Sequence, residues 1–143
     1  MKIPQFELKY TTTVRVRYAD TDKMGFVYNG NYFAYFEVGR TELMRHYGLP
    51  YTEFENAGYY LPLTETQAKY ISPAYYDDLL SIEAILEVAY IPIVTFRYNI
   101  SRGDTTIAMG YTKHIFIDAK SGKTKRPPRF FFEAMEKIYN LND

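Results

Sequence analysis

The sequence predicts an α+β protein in which an antiparallel five-stranded sheet is wrapped around one long central helix. Residues 14–18 alternate in polarity, and a turn and a stretch of helical periodicity follow them. Four further alternating segments come next, and their short connections favour antiparallel pairing. Each of these strands has one apolar face that must be covered. The only large apolar helix available for this runs from Gly30 to Tyr47.

The first strand is predicted to carry one apolar face and one polar face. Its inward residues are Leu8, Tyr10, Thr12, Val14, Val16 and Tyr18. Short polar residues and a glycine then interrupt the alternation between Asp20 and Gly25, and these residue types favour a turn.

The long helix is predicted from a change of period directly after this turn. Its core stripe steps by three and four residues and consists of Tyr32, Phe36, Gly39, Leu43 and Tyr47. Ala34, Glu37, Thr41 and Arg45 lie on the opposite face. Asn29 or Asn31 can cap the helix start, whereas Gly48 and Pro50 end the helix.

The rest of the chain is predicted to be mainly strands. A short helical turn and a loop occupy Tyr51 to Gly58, and a short closing helix covers Phe130 to Tyr139. The four strands between them are Leu61 to Ile71, Leu80 to Val88, Val94 to Ile100 and Thr106 to Ile117. The turn at Arg102, Gly103 and Asp104 makes the last two strands a hairpin.

Composition indicates a single domain over residues 1–143 of an ordinary globular protein, with 47% hydrophobic and 24% charged residues. Basic and acidic residues balance at 17 each, so no overall field favours nucleic acid or an anionic membrane. The absence of cysteine excludes disulfides and thiolate chemistry. Because no apolar leader or membrane-spanning stretch is visible, a cytoplasmic protein is expected. The 16 tyrosines suggest a subunit interface or ligand cleft.

One carboxylate, Asp22, precedes the start of the long helix by only a few residues. Unpaired amides at a helix start can hold an oxyanion, and a nearby carboxylate can act as base or nucleophile. Together these groups suit acyl transfer to water, with Asn29, Gly30 and Asn31 as candidate oxyanion residues. Aspartate is also common in turns for local reasons, and this is the reading favoured for Asp20.

The segment YADTDKMGFVYNGNYFAYFEVGRTELMR, with KYISPAYYDDLLSIE after it, resembles the hotdog-fold acyl-CoA thioesterases of the 4-hydroxybenzoyl-CoA thioesterase and YbgC-like family. The resemblance covers about residues 14–127. It implies hydrolysis of an acyl-CoA to free acid and coenzyme A, with Asp22 as the catalytic carboxylate and a backbone amide near Asn29 or Gly30 as oxyanion donor. Tyr28 and Tyr32 are candidate substrate contacts. Many members have histidine where this chain has Asn29.

The resemblance also implies homodimers that join sheets edge to edge, often paired into homotetramers, with active sites at the dimer interface. No metal or redox cofactor is expected. Two alternatives remain open, a non-catalytic acyl-binding hotdog protein and a thioesterase that acts on acyl carrier protein.

A basic segment near the C-terminus has two readings, a solvated loop or a clamp for the phosphates of coenzyme A. Its residues are Lys120, Lys123, Lys125, Arg126 and Arg129. The sequence contains no G-x-S-x-G, H-E-x-x-H or G-x-x-x-x-G-K motif, so serine hydrolase, zinc and nucleoside triphosphate chemistry lack support.

Overall fold

The structure is a computed structural model that describes residues 6–89 and 91–142. A 3-10 turn at Tyr18–Asp20 separates the first strand from the first helix. The remaining elements, in chain order, are β1 Phe6–Arg15, α1 Asn31–His46, α2 Tyr51–Asn56, β2 Tyr59–Tyr60, β3 Leu63–Tyr70, β4 Leu79–Val88, β5 Ile93–Arg102, β6 Thr105–Ile115, β7 Ile117–Asp118 and α3 Arg129–Asn142.

The five long strands form one antiparallel sheet in the order β1-β4-β5-β6-β3. The predicted antiparallel five-stranded sheet is therefore confirmed. The predicted second strand, Leu61 to Ile71, is observed over Leu63–Tyr70. The predicted fifth strand ends at Ile115, and Ile117–Asp118 pairs with Tyr59–Tyr60 in a separate two-stranded sheet. β1 and β3 are the two edges of the main sheet.

Helix α1 lies against this sheet through the predicted stripe. Tyr32, Phe36, Gly39 and Leu43 are all buried. The approach is close, because a methyl group added at Gly39 would lie 2.7 Å from Cγ2 of Ile82. On the sheet, a methyl group at Gly110 would lie 2.6 Å from Cζ of Phe36. These two glycines therefore let the helix sit on the strands without a gap.

Two local predictions are wrong, one at the end of the first strand and one at the start of α1. Tyr18 was predicted to face the core, but it is 79% exposed because the strand ends at Arg15 and a 3-10 turn reorients the chain. A side-chain cap from Asn29 or Asn31 was predicted, but Gly30 occupies the cap position with no side-chain hydrogen bond. The Asn31 side chain instead donates to the Asp20 carbonyl oxygen at 2.7 Å.

An aromatic cluster covers the end of the molecule where α1 terminates. Phe54 of α2 packs against Phe116, Phe130 and Phe131, which anchors α3 to the same end. The opposite end of α1, where the helix begins, lies next to the turn that contains Asp20 and Asp22.

Edge strand β3 is the most exposed strand of the sheet. Seven of its eight residues are exposed. Leu63, Tyr70 and the following Ile71 expose about half of their surface. Within the described residues, no helix is long and apolar enough to cross a bilayer.

Candidate active site

The carboxylate of Asp20 is the centre of the turn before α1, and it is only 6% exposed. Its Oδ2 accepts hydrogen bonds from the Arg17 amide at 3.0 Å and the Tyr35 hydroxyl at 2.9 Å, and its Oδ1 accepts one from the Arg17 guanidinium at 3.1 Å. Burial by itself raises the pKa of Asp20, but these hydrogen bonds and the Arg17 charge outweigh it, so that the pKa is lowered. Asp20 is therefore an anion that stabilises the turn, which is the structural role predicted for it from the sequence.

The backbone of Asp20 connects the turn to the start of the helix. Its carbonyl oxygen accepts from the Tyr28 amide at 2.9 Å and from the Asn31 side chain at 2.7 Å. These contacts hold residues 20, 28 and 31 together, although 11 positions separate the first from the last. The segment between residues 20 and 28, which contains Asp22, is therefore a loop whose two ends are held together.

Asp22 lies in a small hairpin within this loop. Its amide donates to the Phe26 carbonyl at 2.9 Å, and its carbonyl accepts from the Gly25 amide at 3.0 Å. The side-chain Oδ1 accepts from the Met24 amide at 2.9 Å. Within residues 6–89 and 91–142, Oδ2 has no hydrogen-bond donor and is available to a ligand or water.

The helix start offers backbone donors beside this carboxylate. The amides of Asn31, Tyr32 and Phe33 are already used, since they donate to the carbonyls of Tyr28, Asn29 and Gly30. The amides of Asn29 and Gly30 donate to no acceptor among the described residues. The free donors of this helix are therefore at residues 29 and 30, and Asn31 serves to fix the turn.

Asp22 and Asn29 line one cavity of about 340 Å³, which we call the Asp22 cavity. Its walls are mainly apolar or aromatic and include Met24, Phe26, Val27, Tyr32, Tyr70, Ile71 and Pro73. The structure therefore brings the predicted carboxylate and part of the predicted oxyanion site to the same cavity. An apolar cavity with a carboxylate and unpaired amides can hold an acyl carbonyl next to an activated water.

Tyr70 touches the helix start from the edge strand. Its hydroxyl donates to the Asn29 carbonyl oxygen at 3.2 Å, and its ring packs against Tyr32 with ring centroids 5.4 Å apart. Since the Asn29 carbonyl and the Gly30 amide belong to one peptide plane, this contact also orients the Gly30 N–H. Sequence analysis missed this residue, because only the folded sheet brings a position 41 residues away to the turn.

Tyr28 and Tyr32 have different environments. Tyr32 is buried and lines the Asp22 cavity, so only part of its ring faces a ligand. Tyr28 is 53% exposed. A methyl group added at Gly30 would lie 2.8 Å from Cε2 of Tyr28, so its ring packs over Gly30. The backbone angles of Gly30 are helical, with φ −64° and ψ −25°, so they do not by themselves require glycine.

The basic segment lies at the other end of α1. It follows β7, which pairs with β2 next to α2, whereas Asp22 precedes the helix. Lys125 contacts Asp118 at 3.5 Å and lies over the Tyr59 ring, and Arg129 contacts Glu133 at 3.1 Å. Lys123 and Arg126 are exposed. Within one chain, the structure does not bring this segment to Asp22.

A second cavity of about 370 Å³ lies between the C-terminal half of α1 and the beginning of β3, and we call it the Arg40 cavity. Its walls are formed by Glu37, Arg40, Thr41, Met44, Tyr51, Leu61, Leu63, Phe96 and His114. Sequence analysis did not predict this cavity. Its members come from five separate elements, and no local spacing connects them.

His114 forms the floor of the Arg40 cavity and is 4% exposed. Its Nδ1 lies 3.2 Å from the Leu61 carbonyl oxygen, and its Nε2 lies 3.0 Å from the Thr112 hydroxyl. Burial is the main reason why the pKa of His114 is lowered to about 4, and the nearby Arg40 charge acts in the same direction. The imidazole is therefore neutral near neutral pH.

Comparison with known proteins places the chain among thioesterases. The profile of the thioesterase-like superfamily matches residues 16–135. The acyl-CoA thioester hydrolase YbgC of Escherichia coli is 30% identical over 94 residues, which cover 66% of this chain and 70% of the relative.

Solved structures show the same architecture. The DHNA-CoA thioesterase of Staphylococcus aureus is 29% identical, with a TM-score of 0.84 over 94% of this chain and 93% of that chain. A variant of 4-hydroxybenzoyl CoA thioesterase, complexed with 4-hydroxybenzoyl CoA, has a TM-score of 0.79 at 20% identity and covers 89% of this chain and 98% of its own. At that identity the likeness shows the fold, which is the predicted hotdog fold.

The buried neutral His114 predicts a pH dependence of stability. The unfolded chain binds a proton near pH 6.5 and the folded chain only near pH 4, so stability falls as pH drops through this window. The free energy of unfolding should fall by about 2 kcal/mol from about pH 7 to about pH 5 through this residue alone. Urea unfolding at several pH values measures it. His114→Gln should remove this component of the slope and His46→Gln should keep it; equal slopes in all three proteins would contradict the assignment.

Proposed function

The chain belongs to the thioesterase-like superfamily and is a thioester hydrolase, and we propose that it hydrolyses acyl-CoA at the Asp22 cavity. The observation that carries this site is the position of Asp22 and Asn29 on the walls of one apolar cavity, beside two backbone amides without acceptors. The relatives named above act on acyl-CoA thioesters, which supports coenzyme A as the carrier.

In the proposed reaction, the thioester carbonyl oxygen accepts hydrogen bonds from the amides of Asn29 and Gly30. Asp22 Oδ2 takes a proton from water as the water oxygen attacks the carbonyl carbon. The tetrahedral intermediate then expels the thiolate, which takes up a proton, and the free acid remains. No metal or redox group takes part. If Asp22 attacks the carbonyl carbon itself, water hydrolyses the resulting anhydride, and the same two amides hold both oxyanions.

The hydrogen bond from the Met24 amide supports this role for Asp22. It holds Oδ1 and directs the carboxylate, which leaves the second oxygen for chemistry. The hairpin around Asp22 is in turn attached to the helix start through Asp20. The carboxylate and the amides are therefore held by one connected set of contacts, which is the preorganisation that acyl transfer requires.

Edge strand β3 supports a homodimer. An exposed edge strand, whose outer N–H and C=O groups are unpaired, is prone to pair with another strand, and an antiparallel two-fold pairing of β3 would join two sheets into one. The other edge strand, β1, carries charged or polar residues at its exposed positions. A dimer of this kind, or a tetramer made from two such dimers, is our proposed assembly.

The first prediction from this function concerns Asp22→Asn. Hydrolysis of acyl-CoA should fall by about 100-fold or more, since general-base or nucleophilic chemistry is lost. The turn should survive because the Asn side chain can still accept from the Met24 amide. Thiol release over a panel of aliphatic and aromatic acyl-CoA substrates measures the effect.

Asp104→Asn, in the exposed turn between β5 and β6, is the matched control and should retain full activity. Unchanged hydrolysis in Asp22→Asn would remove the catalytic assignment. If the wild-type protein binds acyl-CoA without releasing thiol, the non-catalytic alternative is favoured; if it cleaves only acyl carrier protein substrates, the carrier is corrected.

A second prediction concerns the orientation of the Gly30 amide by Tyr70. Tyr70→Phe removes one hydroxyl, and the rate constant kcat should fall about fivefold while KM changes little, because a hydrogen bond of about 1 kcal/mol that acts on an oxyanion donor is lost. Tyr47→Phe removes a similar hydroxyl-to-carbonyl hydrogen bond, 3.0 Å to Lys9 O, at the far end of α1. That control should leave kcat unchanged, and parallel losses in both variants would show a general structural effect instead.

The assembly can be tested by native mass spectrometry or light scattering. We expect the smallest stable species to have twice the chain mass of 16.8 kDa, or four times that mass if dimers pair. A chain that remains monomeric at micromolar concentration, while still hydrolysing acyl-CoA, would contradict the edge-to-edge dimer.

A further inference from the structure

The Arg40 cavity contains a cation that lacks a carboxylate partner. Among the described residues, a carboxylate oxygen lies within 4.0 Å of the side-chain nitrogens of six arginines: Arg15, Arg17, Arg45, Arg97, Arg102 and Arg129. Arg126 lies on the exposed basic segment, where water solvates it. Arg40 differs from all of these because it is half-buried without a carboxylate within 4.0 Å and lines a cavity with several apolar walls.

Nearby polar groups do not neutralise Arg40. The Leu61 carbonyl can only accept, so His114 Nδ1 carries the proton and Nε2 accepts from the Thr112 hydroxyl. The Thr112 oxygen, 2.6 Å from the Tyr98 hydroxyl, must therefore accept the Tyr98 proton. Burial raises the pKa of Tyr98, and the charge of the nearby Arg40 opposes this rise.

The chain of hydrogen bonds thus runs in one direction, from Tyr98 through Thr112 and His114 to the Leu61 carbonyl. A guanidinium has five N–H donors, and among the described residues no carboxylate oxygen lies within 4.0 Å of the Arg40 nitrogens.

Tyr51 adds a second donor at the same cavity. Its oxygen accepts from the Leu61 amide at 3.1 Å, and its own O–H proton has no acceptor among the described residues. Met44, Leu61, Leu63 and Phe96 supply apolar walls. The cavity therefore presents two donors, Arg40 and Tyr51, next to apolar surface, with the carboxylate of Glu37 at its rim.

We propose that the Arg40 cavity binds the carboxylate of a small apolar acid, with Arg40 and Tyr51 as donors and the apolar walls around its body. Carboxylates form the strongest hydrogen bonds with guanidinium groups, and a desolvated cation favours an anion over a neutral group. The volume of about 370 Å³ is sufficient for an aromatic ring or a short aliphatic chain. Glu37 lies at the exposed rim and makes no ion pair with Arg40 within 4.0 Å.

The carboxylate could belong to a free acid or to the distal end of an acyl group. The second source rests on the proposed function. Arg40 lies about 14 Å along the helix from Asn31, at 1.5 Å per residue. In the proposed antiparallel dimer, the Leu63 end of β3 in one protomer lies beside the Tyr70 end in its partner. The Arg40 cavity of one protomer would then face the Asp22 cavity of the other.

Isothermal titration and two-dimensional NMR with matched acid and amide pairs test the site on the intact protein. Benzoate and hexanoate should bind at least about tenfold more tightly than benzamide and hexanamide, because the charge-assisted hydrogen bonds are lost in the amides. Shifts should appear at Leu63 and His114. Equal affinities for acid and amide, or shifts confined to Asn29 and Gly30, would overturn the proposal without depending on hydrolysis.

Variants locate the donor. Arg40→Met should weaken acid binding about tenfold and leave amide binding unchanged, whereas Arg45→Met, on the exposed side of α1, should bind like the wild type. Glu37→Gln should bind the acid at least as tightly, since it removes a competing carboxylate. Arg40→Lys keeps the charge and should bind with intermediate affinity if Arg40→Met does not fold. Wild-type affinity in Arg40→Lys and Arg40→Met would exclude Arg40.

Hydrolysis assays separate the two sources. If the site receives the distal end of an acyl group, the CoA thioester of a dicarboxylic acid should be preferred over a monocarboxylic thioester of equal length, and Arg40→Met should abolish that preference. If the site receives a free acid, benzoate should change kcat for an unsubstituted acyl-CoA in the wild type and should not change it in Arg40→Met. A protein that hydrolyses neither thioester but still binds acids through Arg40 would disprove the proposed function and keep the acid site.

Discussion

The candidate site depends on one buried anion, the Asp20 carboxylate. Burying a carboxylate is costly unless donors surround it, and Asp20 has three, from Arg17 and Tyr35. The Tyr35 hydroxyl suits this role, because burial and the adjacent Asp20 charge raise the pKa of Tyr35 and keep its proton in place. Since Tyr35 belongs to α1 and Arg17 to the segment directly after edge strand β1, their shared anion fixes the helix relative to the sheet edge.

This fixed turn has a direct consequence for chemistry. The Asp20 carbonyl uses the Tyr28 amide and the Asn31 side chain, and so removes them from any role in catalysis. What remains unpaired among the described residues is a pair of adjacent amides, at Asn29 and Gly30, and Asn29 lines the same cavity as Asp22. A helix start would offer more donors if its first turn were open. Here the tight turn narrows the choice to two, which is the number commonly found in an oxyanion site.

Sequence patterns were sufficient for the elements and for Asp22, but not for the contacts that select the donors. The stripe from Tyr32 to Leu43 has a clear helical period, and every member is buried, because burial along a helix is a local property. The prediction for Tyr18 was wrong because alternation of polarity does not reveal where a strand ends. The prediction of a side-chain cap at Asn31 was wrong because this side chain donates to the Asp20 carbonyl instead of bonding to the helix amides. Tyr70 and His114 reach their sites through strand pairing, which no spacing in the sequence encodes.

The Arg40 cavity shows why a polar chain can persist in the apolar layer between helix and sheet. Phe36 stacks on Tyr98 with ring centroids 4.4 Å apart, so the Tyr98 ring completes the core while its hydroxyl points to Thr112. Replacing Thr112 with an apolar residue would leave that hydroxyl buried without an acceptor, at a cost of about 1–3 kcal/mol. The charge of Arg40, at the cavity wall, acts on the Tyr98 hydroxyl at the start of this chain. Core packing at Phe36 and the charge of Arg40 are therefore connected through Tyr98.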